Sequence, residues 1–259
     1  MLARRTLTSL LGLAVASVLA MPAAAAEPAQ LHVEGTEFVL TMADGRILRS
    51  VDLVGATLRI AAAGGTTDVT IQNVQEDRKA VGGRVMLHHL IVTDQQGRTS
   101  DFCAPDADGR RLGFPVPDGE GGFDLTCTAG AIGKCIRWGY RPWDERVDGP
   151  PLGALHRACV HMVRADYGGD GQMTTRDGTL VDIYDRFGIQ TSDRAVPMRF
   201  EAAWGVDGAI CVAHPRIPEH ISLAQLAERY PHLQTQLGAA VCTEDKSRRN
   251  PAALLFNRS

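Results

Sequence analysis

The sequence has no long basic cluster; the largest grouping runs from Lys246 to Arg249. A protein that neutralises phosphates needs a basic face, so neither nucleic acid nor anionic lipid is an expected partner. After residue 26 nothing resembles a membrane span, which takes about 20 apolar residues. Gly-x-Ser-x-Gly, His-Glu-x-x-His and the phosphate loop are all absent, so the best-marked routes to hydrolysis and nucleotide chemistry lack their motifs. No two cysteines have the two-residue spacing of a zinc knuckle, and Cys127 and Cys135 are too far apart for one. The chain after residue 26 contains no internal repeat and no low-complexity segment.

What is present starts with an export signal. Arg4 and Arg5 precede an apolar run, Leu10 to Val15, and small residues follow up to Ala24-Ala25-Ala26, the order of a cleavable leader. Thr8, Ser9 and Ser17 interrupt the apolar stretch, which is too short to anchor the chain in a bilayer. The residues around Arg4-Arg5 match a twin-arginine signal poorly, so ordinary secretion is expected, with the mature chain starting near Glu27. Removing residues 1 to 26 leaves 233 residues, takes two arginines away and moves the formal net charge from −3 to −5. That length accommodates one large domain or two small ones.

All six cysteines, Cys103, Cys127, Cys135, Cys159, Cys211 and Cys242, lie in the mature part. An even number in an exported chain favours three disulfides over free thiols or zinc, with a connectivity that sequence does not choose. The protein is therefore expected in the periplasm or outside the cell.

The fold expected is α+β: an antiparallel, β-rich N-terminal part (27–104), a small sandwich or barrel, followed by a disulfide-containing mixed α/β part with few helices (123–259). In the first part, Asp44-Gly45, Gly64-Gly65, Gly82-Gly83 and Gln96-Gly97 are turn signals between short β-prone runs. Leu58, Ile60 and Ala62 alternate, as do Val69 and Ile71. Residues 105–122, with Pro105, Pro115 and Pro117 among Gly and Asp, read as a loop or linker. After Pro150-Pro151, Leu152, Leu155, Cys159, Met162 and Val163 follow helical spacing, with Cys159 on the buried face and Gly168-Gly169 ending the helix. Phe200, Ala202 and Trp204 alternate up to a hairpin turn at Asp207-Gly208, and the return strand carries Cys211. Ser222 with Gln225 forms a capping box for a helix that Pro231 interrupts and Leu233 and Leu237 continue. Leu254 to Phe256 are apolar enough to dock.

The densest polar stretch runs from Arg164 through Asp166, Tyr167 and Asp170 to Gly171, followed by Thr175-Arg176-Asp177-Gly178-Thr179. Together with Cys127 to Cys135, Gly139 to Trp143, Met162 to Gly171 and Gly188 to Gln190, it resembles the ADYC domain family of exported bacterial proteins. Phe200-Glu201-Ala202 and Asn257-Arg258-Ser259 match as well, so the resemblance runs from about Gly35 to Ser259. One position departs: Gly168 stands where the family has its name-giving cysteine. The resemblance implies no reaction, cofactor or ligand.

The residues themselves leave two readings. Asp166, Asp170 and Asp177 are spaced by four and seven, unlike a calcium loop, and Asp and Gly at a helix end shape turns. His161 follows His156 by five residues, so the two do not share a helix face as metal-binding pairs at four do. Arg164, Arg176 and Asp177 are the charges expected inside, as a structural ion-pair network. Trp138, Tyr140 and Trp143 read as core packing, against a sugar- or peptide-binding platform. The reading adopted is a non-enzymatic structural or binding domain with no assigned catalytic residue, metal or cofactor. Arg164, Asp166, Tyr167, Asp170, Arg176 and Asp177 are its motif residues of interest. The alternative is a hydrolase or metal-dependent enzyme sited around Asp166, Asp170 and Asp177.

Overall fold

The computed structural model describes residues 29–62, 65–94, 96–146, 148–193, 195 and 197–259. The expected leader and its expected cleavage point lie outside the described residues. Strands β1 (Gln30–Glu34), β2 (Glu37–Thr41) and β3 (Ile47–Arg49) form a three-stranded antiparallel sheet. A second antiparallel sheet holds β4 (Thr57–Ala62), β5 (Gly65–Glu76), β6 (Met86–Thr93), β7 (Thr99–Asp101), β8 (Gly113–Pro117) and β9 (Phe123–Cys127), in the order β4-β5-β6-β8-β9 with β7 also on β6. The helices α1 (Ala131–Arg137) and α2 (Leu152–Arg164) follow, then β10 (Asp182–Asp185), β11 (Phe200–Gly205) and β12 (Gly208–Val212). The short helices α3 (Leu223–Arg229) and α4 (Glu244–Arg249) precede β13 (Leu255–Arg258), and the third sheet is ordered β10-β13-β11-β12. The molecule is α+β, as its patterning implies.

The turn signals work as chemistry demands. Gly45, Gly82 and Gly97 have positive φ between consecutive strands, where a side chain would be strained. Alternation then decides the faces. Val69 and Ile71 of β5 and Leu90 of β6 join Phe38 of β2 in one buried cluster, with Leu31, Val33, Leu40 and Leu48 packed on it. The two N-terminal sheets thus share a sandwich core. Val85, Leu87, Phe114 and Val116 make a second cluster with Ile136 of α1.

Residues 105–122, expected as a loop or linker, carry β8, and β9 at the start of the C-terminal part is a strand of the same sheet. Pro115 and Pro117 lack the N–H that an inner strand donates. They are tolerated because β8 pairs with β6 at a single residue pair, His88 with Gly113, and otherwise only with β9.

The apolar stripe of α2 (Leu152, Leu155, Ala158, Cys159, Met162) packs with Trp204 of β11, Val212 of β12 and Leu255 of β13 into the largest core. The cysteines form three disulfides, Cys103–Cys127, Cys135–Cys159 and Cys211–Cys242, so the zinc alternative is overturned. Cys135–Cys159 joins α1 to α2, and Cys211–Cys242 joins β12 to the segment before α4. Ser222 and Gln225 form the expected capping box. Two local expectations shift. The β11–β12 turn is Val206-Asp207, with Gly208 already paired to Gly205. Leu237 does not extend a helix; after a 3-10 turn at Pro231–Leu233 it bridges to Val212 as a strand-like pair. Among the described residues no helix is long and apolar enough to cross a membrane.

Candidate functional site

The polar motif begins where α2 ends. Ala165 closes the helix in the left-handed conformation, φ 48°, and its N–H and that of Asp166 donate back to the carbonyls of Met162 and His161. A left-handed alanine costs about 1 kcal/mol or more, and surrounding contacts hold it there. Ala165 is fully buried, and Thr174 Oγ1 donates to its carbonyl at 2.6 Å. The reversal of the chain at Ala165 is followed by two buried residues, Asp166 and Tyr167.

Tyr167 enters a closed polar network. Its hydroxyl donates to Glu201 Oε1 at 3.0 Å and accepts the backbone N–H of Arg216 at 2.8 Å. The Arg216 guanidinium grips the same carboxylate through Nε to Oε2 at 3.0 Å and Nη2 to Oε1 at 3.1 Å. Its remaining N–H groups donate to the carbonyls of Met162 (2.7 Å) and Val163 (3.0 Å) and to Thr175 Oγ1 (3.3 Å). Those two carbonyls belong to the last turn of α2, where regular helical donors run out; the Met162 carbonyl also takes the Ala165 N–H. Asn257 Nδ2 donates to Glu201 Oε2 at 2.6 Å, and Asn257 Oδ1 accepts the Trp204 Nε1–H at 2.8 Å. The side chains of Glu201 and Arg216 are 0% and 1% exposed. A buried ion pair is tolerated when every donor and acceptor has a partner, and here each has. Burial, then the neighbouring Glu201 carboxylate, pushes the Tyr167 phenol well above its ordinary range, so it stays a protonated donor.

The other predicted residues divide. Asp166 is buried; its Oδ2 accepts the Gly171 N–H at 3.0 Å and lies 2.9 Å from Nδ1 of His161, while Oδ1 is buried without a partner. Asp170 is exposed, accepting from Gln172 N–H at 3.1 Å and the Tyr230 hydroxyl at 3.1 Å. Arg164 is half-buried, and Arg176 and Asp177 are exposed, so the expectation that these three charges lie inside is corrected. The ion pair inside, beneath the motif, is Glu201 with Arg216. Asp166, Asp170 and Asp177 belong to no cluster of three or more metal-ligating side chains among the described residues.

Glu201, Arg216 and Asn257 carried no expectation of burial from sequence. One signal existed: Glu201 interrupts the apolar run Phe200, Ala202, Ala203, Trp204 of a strand buried on both faces, and a charge in such a place requires a partner. The aromatic run is packed rather than displayed. Tyr140 is fully buried and donates to Asp185 at 2.8 Å, while Trp138 and Trp143 are half-buried against core clusters. Asp185 also accepts the N–H groups of Phe187, Ile189 and Gln190, so the Gly188 to Gln190 motif is a loop wound around a carboxylate. A depression of about 410 Å³ lies elsewhere, beside β6 and β7, and its His89 and Arg111 both pair with Asp101 at 2.6 and 3.4 Å.

Residues 50–218 match the family model of the ADYC domain. The chain belongs to the ADYC domain family. The matched region holds α2, the motif loop, Glu201 and Arg216, and it stops short of Asn257. No curated protein and no solved structure matches the chain. Within the ADYC domain the departure at Gly168 has a physical reason: a Cβ there would stand 2.1 Å from Cε1 of the Tyr230 ring. Tyr230 fills the space that a cysteine side chain would need. Gly169, at φ 72°, is held just as closely, since a Cβ would meet the Asp207 carbonyl at 2.1 Å.

Proposed function

We propose that this ADYC domain is an exported, non-catalytic binding domain in which the signature motif is the internal frame and the binding surface lies outside it. The observation that carries the reading is the closed network of Tyr167, Glu201, Arg216 and Asn257, which engages the motif's buried Tyr167 within the protein. Three disulfides support a life outside the cytoplasm, and the leader pattern of residues 1 to 26 supports export. The direct test is the mass of protein recovered from an oxidising compartment after thiol alkylation. A species starting near Glu27 with no alkylated cysteine supports export and pairing; an intact leader or alkylated cysteines contradicts them.

A second reading, a hydrolase, is favoured by one arrangement: His161 with buried Asp166 behind its Nδ1. A carboxylate in that position orients an imidazole for proton transfer. Replacing His161 with Ala discriminates. Any ester, phosphoester or peptide turnover that His161→Ala abolishes while thermal stability is retained supports the hydrolase and sinks the binding reading.

A further inference from the structure

Resting on the binding reading, we propose that the outer face of the last two turns of α2, together with Arg176, is a site for an oxyanion of the phosphate or sulfate type. Arg157, His161 and Arg164 occur at intervals of four and three, which places them along one helix face. Arg157 is exposed and Arg164 half-buried. The loop after the motif is pinned to the end of that helix: Thr174 N–H donates to the Arg164 carbonyl at 3.1 Å and its hydroxyl to the Ala165 carbonyl. Arg176, exposed, follows two residues later and is thereby kept close to Arg164. Among the described residues none of these three guanidiniums makes an ion pair or a side-chain hydrogen bond, in contrast to Arg216 beneath them, whose donors all have acceptors.

A second observation points outward. His161 is held from behind by Asp166, a carboxylate that is buried and keeps one oxygen without a partner. The opposite ring nitrogen, Nε2, has no partner among the described residues and is not enclosed. The two free guanidiniums on either side of the fixed imidazole form a donor set. Cations in a last turn also favour the helix dipole, which accounts for Arg164 but not for Arg157 at mid-helix or Arg176 off the helix. Guanidinium forks match the oxygens of phosphate and sulfate. Asp177, exposed beside Arg176, and Asp166, behind His161, are local carboxylates that oppose the anion.

The test is calorimetric titration of the mature, oxidised protein with inorganic phosphate and with sulfate, alongside sedimentation with vesicles of phosphatidylglycerol in phosphatidylcholine. Saturable binding of free phosphate or sulfate that weakens about 10-fold or more in Arg157→Gln/Arg164→Gln/Arg176→Gln, with an unchanged melting temperature, is the expected result. Binding of vesicles with the same loss in the triple variant identifies a headgroup as the source of the oxyanion. Absence of saturable binding to any probe, or equal binding by the triple variant, overturns the proposal. If the triple variant does not fold, Arg157→Gln and Arg176→Gln singly, both at exposed positions, carry the same comparison. A negative titration on a protein that also shows no turnover overturns the oxyanion site alone; turnover lost in His161→Ala overturns the binding reading beneath it.

Discussion

At position 168 a side chain and the Tyr230 ring compete for the same space. Gly168→Ala or Gly168→Cys is therefore expected to destabilise the protein by about 1–3 kcal/mol through overpacking, measured by urea unfolding. In a Tyr230→Ala background the same change should lose most of that cost, because the two residues are coupled by contact. An equal cost in both backgrounds would contradict the packing argument. The residue scale is also where sequence and structure diverge most. Asp166 and Tyr167 are legible as important because they stand in the motif, but Arg176 and Asp177, expected inside, are exposed, and Arg164 is half-buried. The left-handed turn at Ala165 is followed at once by two buried residues, and local spacing gives no sign of it. The partners of Tyr167 come from positions 201, 216 and 257, far along the chain and without any local pattern that connects them.

Helix α2 is held at both the stripe and the end. Its apolar face was readable from periodicity, and so was the buried position of Cys159; the hairpin of β11 and β12 and the capping box of α3 were readable for the same reason, since each follows from neighbours in sequence. Helix α1 and strands β8 and β13 were not. Prolines in β8 argue against a strand unless one edge is left nearly unpaired, which sequence does not reveal. β13 is a four-residue piece whose place inside the third sheet depends wholly on long-range pairing. The Cys135–Cys159 bridge spans 24 residues and ties α1 to α2 within the main core. Replacing both cysteines with Ala should cost about 3 kcal/mol by the loop-closure argument, read as a lower melting temperature than that of the oxidised parent. A variant that melts with the parent would show that the bridge adds nothing to helix packing.

The whole molecule is sewn together across its N- and C-terminal parts. Arg141 donates to the carbonyls of Val81 and Gly82, Arg137 pairs with buried Asp77, and β9 completes a sheet begun by β4. Two histidines, buried His88 and half-buried His156, give this unit a pH signature. Burial lowers His88 and His156 to about 4, while in the unfolded chain they titrate near 6.5. Between those values the unfolded state binds more protons, so stability is undiminished above pH 6.5 and falls as pH drops through the window. The loss is up to about 3 kcal/mol for each histidine. Urea midpoints at pH 7 and pH 4.5 check this, and a flat profile would mean that neither ring is buried neutral. The most direct measurement of the structural role of the motif is the urea unfolding free energy of Glu201→Gln. Leaving Arg216 buried without its counter-charge should cost about 3–5 kcal/mol, with the folded fraction still holding three disulfides. A variant within about 0.5 kcal/mol of the parent would contradict the view that the ADYC signature is the frame of the domain.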